Sequence, residues 1–554
     1  MRKDNEMLKC WNEIQKRLSF SCTTFVLAVA AYFTFVLNIS FWSFVFKTVH
    51  VDDFETVVFV ISVPVTMFVL MYAIFNLIIL PYIAKPLLVF LLIASSIANY
   101  QMLALGIFID SDMIRNVFET NTREALDLVT FSGMMWVFLT GIVPAVLVSF
   151  STIRFKPFKR ELVSRGLHVL AGLGIAGCLA AVSYKEYAAY GRNNREARKL
   201  VNTVNYVYST VRYFQRKAAA NRSFVSLDEY AKTVPFPDSH KTVLVFVLGE
   251  TARAANFSLY GYEKQTNPLL EKQDIVTFSH VASCGTATAV SVPCMFSDKG
   301  RSDFDADDAK FTENLLDLLK RGGYDVLWLE NDNGCKGVCN RVETKDIVAQ
   351  KDPEHCFGDY CHDEALLKDL REKLAHLERD TVVVLHMMGS HGPTYYKRYP
   401  DRFKVFQPTC DTADIQNCPR EAIVNTYDNT ILYTDFIVDQ AIEELKKYPQ
   451  YEAGLMYESD HGESLGENGI YLHGFPYKIA PKEQREVPML LWLSETMQRA
   501  DHLDYACLKN KSKDKSFSHD NLYHTLLALL EVKSTTYKKD MDAFDSCRTQ
   551  PLPF

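Results

Sequence analysis

TVLVFVLGE (residues 242–250) is the stretch that decides the fold of this 554-residue chain. A short apolar run rich in valine and closed by a glycine predicts a strand that is buried on both faces of a sheet. The run ends on Glu250, a carboxylate placed where such a strand reaches the sheet edge. Four further runs of the same kind follow it: YDVLWLEN (324–331), TVVVLHMMG (381–389), AGLMYESDHGE (453–463) and VPMLLWL (487–493).

Amphipathic stretches lie between these runs. FTENLLDLLKRGG (311–323), DEALLKDLREKLAHL (363–377) and NTYDNTILYTDFIVDQAIEELKKY (425–448) have helical spacing, and the first closes on a pair of glycines that predicts a helix end. Strands that alternate with helices form a mostly parallel sheet covered on both faces. The sequence therefore predicts an α/β/α domain, whose ligands should bind beyond the carboxyl ends of the strands.

Polar side chains collect at those carboxyl ends. Carboxylates and imidazoles that meet at one sheet edge are the ligand set of zinc. A single histidine at a strand end is more often structural, but here several strand ends carry such groups, which favours a metal site. The residues concerned are Glu250, His386, His391, Asp460, His461, Glu463 and His473.

The segment SCGTATAVSVPCMFS (283–297) is small, rich in hydroxyl groups and bracketed by Cys284 and Cys294. Thr288 could begin a helix there, where backbone N–H groups and the helix dipole favour anions. A threonine hydroxyl is a poor nucleophile until a metal lowers its pKa, as zinc lowers that of water from about 15.7 to about 7 in protein sites. An ordinary Ser/Thr-rich loop is the alternative for this segment alone.

The N-terminal third has a different composition, which the overall 48% of hydrophobic residues conceals. It contains five long runs without charge, and a bilayer-spanning helix needs about 20 apolar residues. We therefore predict a bundle of five transmembrane helices rather than a soluble helical core. The first run is too long for a signal peptide and lacks a clear cleavage site. The predicted spans are 18–46, 56–84, 86–109, 128–153 and 166–184.

Lysine and arginine in the short loops set the predicted orientation. Residues 1–17 and 154–165 are rich in these cations and fall on one side, while 47–55 and 110–127 are acidic and fall on the other. Everything after residue 185 then lies outside the cytoplasm. The predicted domains are a transmembrane domain (1–185), a linker (186–240) and a catalytic domain (241–554). The linker interleaves basic and aromatic residues, which suits the membrane interface or a plain connector helix.

Cysteine usage agrees with an outer location for the last domain. Ten of the 13 cysteines lie beyond residue 240, and an even number in an extracytoplasmic domain indicates disulfides. A structural zinc site is the alternative, although finger-like pairs are lacking. Close spacing suggests the pairs Cys284–Cys294, Cys335–Cys339, Cys356–Cys361 and Cys410–Cys418, which leaves Cys507–Cys547. The net charge of −7 argues against a nucleic-acid partner.

Several motifs in this order resemble the lipid A phosphoethanolamine transferases, an alkaline-phosphatase-like family that includes the colistin-resistance enzymes. They are GETAR (249–253), the 283–297 segment, NDNGCKGVC (331–339), MGSHGPTYYKRYP (388–400), SDHGESLGENGIYLHG (459–474) and the five spans. The resemblance implies a monomeric, multi-pass enzyme of the bacterial inner membrane with a periplasmic catalytic domain. Such an enzyme moves phosphoethanolamine from phosphatidylethanolamine to a phosphate of lipid A, through a phospho-threonine, and confers polymyxin resistance.

The resemblance also implies residue roles. Thr288 is the expected nucleophile, and one firmly bound zinc is expected, with a second left open. His391 and His473 match histidines that bind the substrate phosphate or the second zinc. The expected zinc ligands are Glu250, Thr288, Asp460 and His461, and the expected substrate contacts are Lys336, Asp332, Glu463, Asn116, Thr120 and Glu124. The last three lie at i, i+4 and i+8, which predicts one shared helical face.

Other functions remain open at this point. The same fold could act on a core sugar or a protein as acceptor, or could transfer phosphoglycerol. A sulfatase would require a Cys-x-Pro-x-Arg signature, which the sequence lacks. A membrane receptor or transporter with an outer binding domain is the alternative of a different class. It would favour ionisable residues within the spans and would leave the polar strand ends unexplained.

Overall fold

The computed structural model describes residues 18–49, 53–120, 122–218, 223–233, 240–358 and 360–552. The chain divides into two compact units. The helical unit comprises Met1–Ile114 and Thr130–Arg212, and the α/β unit comprises Arg115–Val129 and Tyr213–Phe554. Residues 1–17, on which the predicted orientation partly depends, lie outside the described residues. The segment 115–129, which the sequence places in a loop between spans, is part of the α/β unit.

Four helices of the helical unit are long and apolar enough to cross a membrane: Phe54–Ile78, Ala84–Leu105, Phe131–Phe150 and Phe158–Val182. The helices Cys22–Phe35 and Ile39–Thr48 form a pair bent by 51°, which makes five if the pair is one span. The third of the four contains a π-helical turn at Phe138–Ile142. Shorter helices follow at Tyr184–Asn193, which begins two residues before the predicted linker, and at Asn202–Ala218, within it.

The predicted spans differ from these helices at their ends. The helix predicted as 56–84 ends at Ile78, before the turn that contains Pro81. The predicted run 18–46 breaks after Phe35, where the buried Asn38 amide donates to the Phe33 carbonyl instead of continuing the helix. The last helix begins at Phe158 rather than 166, because Glu161 and Arg165 pair within it at 2.9 Å and make its charged first turns helical.

A seven-stranded sheet forms the centre of the α/β unit. Its strands are β1 (Thr242–Gly249), β2 (Val276–Phe278), β3 (Asp325–Glu330), β4 (Glu343–Asp346), β5 (Thr381–His386), β6 (Glu452–Ser459) and β7 (Met489–Leu493). Their order is β2-β7-β6-β1-β5-β3-β4. Strand β7 is antiparallel to both its neighbours, while the other neighbouring pairs are parallel, so the sheet is mixed.

Helices cover both faces of this sheet. Apolar residues of Thr288–Met295, Leu315–Gly322, Tyr505–Asp514 and Leu522–Leu529 form one core with alternate residues of the strands, such as Leu244, Phe246 and Leu248. On the other side the helices Glu364–Ala375 and Arg420–Lys446 pack against each other, against β3 and against β6. The helix Leu315–Gly322 starts in a capping box and stops at Gly323, whose φ of 112° favours glycine.

Disulfides fix the loops of the α/β unit. The structure joins the four closely spaced pairs, Cys284–Cys294, Cys335–Cys339, Cys356–Cys361 and Cys410–Cys418, and also the remaining pair, Cys507–Cys547. Cys22 and Cys178 are free thiols in the described part of the helical unit. Among the described cysteines, the oxidised ones therefore all lie in the part of the chain that the sequence places outside the cytoplasm.

Candidate active site

The register of the sheet brings three predicted ligands to one point. Ser459 of β6 pairs with Gly249 of β1, so the next residues, Asp460 and Glu250, leave the sheet side by side. Glu250, Asp460 and His461 are all fully buried. Each offers a ligand atom within 4.8 Å of the others. The strand ends therefore assemble the cluster that the sequence predicts there.

Thr288 lies directly over this cluster, as the first residue of the helix Thr288–Met295. Its Oγ1 is 3.3 Å from both carboxylate oxygens of Glu250 and 3.3 Å from Nε2 of His461. Ser291, one turn later, donates to the Asp460 carbonyl and so fixes the helix against the loop after β6. The Thr288 hydroxyl thus lies at a helix N-terminus, which favours phosphate, and at equal distance from three polar atoms of the cluster.

The protonation states of the cluster suit a bound cation. His461 Nδ1 is 3.0 Å from the Gly462 carbonyl, which only accepts, so Nδ1 carries the proton and Nε2 presents a lone pair. That Nε2 lies 3.3 Å from Asp460 Oδ2 and 3.5 Å from Glu250 Oε1. Asp460 Oδ2 is buried and has no hydrogen-bond partner among the described residues. The lone pair of His461 Nε2 and an Asp460 oxygen without a hydrogen-bond partner therefore meet beside Glu250, which fits a zinc ion.

Electrostatics supports the same interpretation. Burial, together with the charges of Asp460 and Asp332, raises the pKa of Glu250 well above its ordinary value. Burial also holds the pKa of His461 well below its ordinary value, which keeps the imidazole in its neutral, metal-binding form. Buried carboxylates that repel one another are costly unless a cation compensates them.

The two other predicted histidines lie beside the cluster. The ring of His473 is 4.5 Å from that of His461 and 5.4 Å from that of His391. His473 Nδ1 donates to Glu463 Oε2 at 2.9 Å, and the Tyr395 hydroxyl donates to the other Glu463 oxygen at 2.6 Å. Glu463 therefore orients His473 through a hydrogen bond. The resemblance implies a substrate contact for Glu463, whereas the structure shows this contact with His473.

Lys336 lines a cavity of about 700 Å³ in the α/β unit. Its ammonium donates to the Asn333 carbonyl at 2.9 Å. Lys217 and Lys310 also line this cavity, as do the aromatic rings of Phe118 and Tyr213. Asp332 lies deeper and is buried, with Oδ2 at 3.8 Å from His386 Nε2. Glu119, Glu330 and Asp346 line the cavity as well, and Lys310 pairs with Glu119. The cavity therefore suits a ligand that carries both charges next to an apolar part.

The prediction of one helical face for Asn116, Thr120 and Glu124 is wrong. The helix Ser111–Glu119 contains Asn116 and ends before Thr120, and a second helix, Thr122–Asp127, contains position 124. The side chain of Glu124 lies outside the described residues. Ion pairs hold the segment 115–129 at both ends, through Arg115 to Asp307 and through Asp127 to Arg398. These tertiary contacts override the helical spacing.

Two buried groups near the cluster are absent from the predicted site. Glu330 is the last residue of β3 and accepts from His386 Nδ1 at 2.9 Å. Its place in the sequence, a charged residue at the end of an apolar run as at Glu250, could have indicated a site residue. His519 accepts from the Cys284 amide and donates to the Ser459 carbonyl, both at 3.0 Å. Burial lowers the pKa of His519 to about 4, and no sequence pattern indicates its position.

Known proteins resemble both units. Residues 242–532 match the family described as Sulfatase, and residues 67–218 match the family described as Phosphoethanolamine transferase EptA/EptB. The chain is 40% identical to phosphoethanolamine transferase EptA of Escherichia coli (strain K12), over 96% of this chain and 98% of that protein. It is 34% identical to phosphatidylethanolamine transferase Mcr-1 of Escherichia coli, over 95% of this chain and 98% of that protein.

A solved structure covers nearly the whole fold. The integral membrane protein lipooligosaccharide phosphoethanolamine transferase A from Neisseria meningitidis superposes with a TM-score of 0.94 at 37% identity, over 96% of this chain and 100% of that one. The separate soluble domain of the same protein is 46% identical, with a TM-score of 0.58 and 60% of this chain covered. Similarity in sequence and in fold over almost its full length shows that the chain belongs to the EptA/EptB family of phosphoethanolamine transferases.

Proposed function

We propose that the protein transfers phosphoethanolamine from phosphatidylethanolamine to a phosphate of lipid A, through a covalent intermediate on Thr288. The observation that carries the proposal is the position of Thr288 Oγ1, at a helix N-terminus and 3.3 Å from Glu250 and His461. Two of its relatives are named phosphoethanolamine transferase EptA and phosphatidylethanolamine transferase Mcr-1. Covalent catalysis divides such a transfer into two displacements at phosphorus.

In the first displacement, Thr288 Oγ1 forms a bond to the donor phosphorus, and the bond from phosphorus to the diacylglycerol oxygen breaks. The proton of the threonine hydroxyl leaves toward the polar atoms around it, and the diacylglycerol oxygen gains a proton. The amide groups of the first turn of the helix Thr288–Met295 face the transferred phosphate and stabilise its charge. In the second displacement, an oxygen of the acceptor phosphate attacks the same phosphorus and Thr288 leaves.

A zinc ion held by Glu250, Thr288, Asp460 and His461 would supply Lewis-acid stabilisation of the phosphoryl oxygens and lower the pKa of the Thr288 hydroxyl. His473 Nδ1 carries its proton toward Glu463, so Nε2 is the ring atom that can accept a proton or orient a phosphate. His391 is held from its backbone, because Arg398 Nε donates to its carbonyl at 2.8 Å. Because their rings lie 5.4 Å apart and that of His473 is 4.5 Å from His461, both histidines would reach the phosphate of either substrate.

We further propose that Lys336 and Asp332 contact the phosphoethanolamine group, and that Asn116, Thr120 and Glu124 contact the donor lipid. The large cavity beside Lys336 has room for a lipid headgroup, and its aromatic rings suit the apolar part next to it. The helical unit would span the bacterial inner membrane, with the α/β unit in the periplasm. Functional limits at 185 and 240 would set off the linker, although the two compact units divide the chain after Arg212. A monomer suffices, since the α/β unit alone contains the whole candidate site.

The test is lipid A mass spectrometry in a Gram-negative host that lacks its own phosphoethanolamine transferases. The wild-type protein should add phosphoethanolamine to lipid A and raise polymyxin resistance, whereas Thr288→Ala should do neither. Thr288→Ser is the matched control, because it retains a hydroxyl at the same atom and should retain part of the activity. Unmodified lipid A together with a modified core sugar or protein would overturn the acceptor.

A further inference from the structure

A second group of buried ligand atoms lies next to the Glu250–Asp460–His461 cluster. Glu250, Asp332 and His386 each offer one ligand atom within 4.8 Å of the others, and all three are buried. The sheet register brings them together, because His386 is the last residue of β5 and pairs with Leu248 of β1 and Glu330 of β3. This group shares Glu250 with the first cluster and lies on the opposite side of β1 from β6.

The imidazole of His386 is oriented as a metal ligand. Its Nδ1 donates to Glu330 Oε2 at 2.9 Å, and Nε2 has no hydrogen-bond partner among the described residues although it is fully buried. A histidine that ligates a metal commonly donates its other ring N–H to a carboxylate, which fixes both the tautomer and the ring orientation. The arrangement presents a lone pair of Nε2 toward the carboxylates of the group.

Glu330 is itself held rigidly. Its Oε2 accepts from the Trp328 indole at 2.8 Å, and its Oε1 accepts from the backbone N–H of Asp332 at 2.8 Å and of Gly334 at 3.2 Å. The loop that carries Asp332 is therefore bound to the same carboxylate that orients His386. Glu330 therefore supports both candidate ligands, Asp332 through its backbone and His386 through its ring. Such shared support is what a preorganised site requires.

The donor set also defines the class of ligand. One imidazole and two carboxylates are the mixed nitrogen and oxygen donors that zinc and manganese take in proteins. The carboxylates of Glu250, Asp332 and Asp460 bring three negative charges to the two neighbouring groups, which offset most of the charge of two such cations. A carboxylate shared by two metal ions is typical of two-metal sites, where the ions lie about 4 Å apart and act on one phosphate.

We propose that Glu250, Asp332 and His386 form a second divalent-cation site that shares Glu250 with the zinc site under Thr288. This second cation is distinct from one bound at His391 and His473, because neither of those residues belongs to the group. Its part in phosphoryl transfer rests on the proposed function, whereas cation binding itself does not. The competing arrangement is a protonated His386 that bridges Glu330 and Asp332 without any metal.

The experiment is a zinc titration of the full-length protein in detergent, with the affinity tag removed and bound metal first stripped by a chelator. After desalting, the metal content is measured by inductively coupled plasma mass spectrometry. Wild type should hold two equivalents of zinc, and His386→Gln and Asp332→Asn should each hold one. His473→Gln is the matched control and should keep two, because it replaces a histidine outside the group.

Two results would overturn this proposal: a single equivalent in wild type, or a second equivalent that is lost in His473→Gln and retained in His386→Gln. Cobalt substitution gives a readout that needs no variant. A bridging Glu250 should couple two Co²⁺ ions and weaken their electron paramagnetic resonance signal relative to a one-cobalt sample, and uncoupled signals at full loading would contradict the shared ligand. If the protein modifies lipid A normally but holds one zinc, only the second-site proposal is overturned. If it holds two zinc ions but does not modify lipid A, only the proposed function is overturned.

Discussion

Replacing Asp127 with asparagine should loosen the segment 115–129 from the rest of the α/β unit. The Asp127 carboxylate accepts from Thr394 Oγ1 at 2.8 Å and lies 2.9 Å from both Lys397 Nζ and Arg398 Nη2. The side chains of Asp127 and Arg398 are only 13% and 4% exposed. Arg398 also donates to the His391 carbonyl, so Asp127 connects this segment to a candidate catalytic histidine.

The size of the effect follows from burial. Breaking a buried ion pair by removing one charge costs about 3–5 kcal/mol. Asparagine keeps the shape and can still accept one hydrogen bond worth about 1–1.5 kcal/mol, and Lys397 is 32% exposed and contributes less. The expected loss is about 2 kcal/mol, which is about a 30-fold change in the docking equilibrium of the segment.

Hydrogen exchange measures this equilibrium directly. Peptides that cover 111–129 should lose about 30-fold in amide protection in Asp127→Asn, and lipid A modification should fall at least about tenfold. Glu443→Gln is the control, because its pair with Lys446 is exposed on both sides. Unchanged protection in Asp127→Asn, or an equal loss in Glu443→Gln, would refute the reasoning.

The pH dependence of this pair has a definite sign. Burial alone would raise the pKa of Asp127, but Arg398 and Lys397 together hold it below its ordinary value. A carboxylate with a lowered pKa contributes stability above its unfolded pKa of about 4 and loses it as the pH falls further. The difference between wild type and Asp127→Asn should therefore be constant from about pH 5 to about pH 8.

Three further perturbations test the rest of the structure. Burial lowers the pKa of His524 to about 4, so wild type should lose about 3 kcal/mol of unfolding free energy between about pH 6.5 and about pH 4, and His524→Asn should lose less. Gly462→Ala places a Cβ 2.0 Å from the Glu483 carbonyl oxygen, which displaces the loop beside the zinc ligands and should lower activity about 100-fold. Removing the Cys507–Cys547 disulfide, whose cysteines have a sequence separation of 40, should cost about 4 kcal/mol.

Each of these predictions has its own control and measurement. Denaturant unfolding at several pH values tests the prediction for His524. An equal loss of unfolding free energy with acid in wild type and His524→Asn would contradict it. Gly174→Ala is the control for Gly462→Ala, because a Cβ at Gly174 meets nothing within 4 Å. Equal activity losses in the two variants would refute the steric argument. Removing the Cys410–Cys418 disulfide, with a sequence separation of 8, should cost about 2.5 kcal/mol, and the reverse order of the two costs would contradict the loop-entropy account.

The sequence predicts the centre of the α/β unit well because its signals are local and strong. Strands β1, β3, β5 and β6 are continuous apolar runs, and parallel strands place their final residues at one edge, so Glu250 and Asp460 could be grouped in advance. Strands β2 and β4 were missed, since VTF has three residues and ETKD is polar. Both are edge strands of the sheet.

The rest of the site depends on contacts that no local pattern encodes. The helical spacing of Asn116 and Thr120 suggested one face, but ion pairs to distant residues shape that segment instead. The support that Glu330 gives to His386 joins residues 56 positions apart and becomes visible only through the strand register. The sequence therefore predicts which strand ends carry ligands, and the tertiary structure determines which ligands share a site.

The most direct test of the central claim is mass spectrometry of the protein itself after incubation with phosphatidylethanolamine and no acceptor. We predict a phosphoethanolamine group on the peptide that contains Thr288. This group should disappear from the peptide when lipid A is added. Modification of another residue, or normal lipid A turnover by Thr288→Ala, would contradict it.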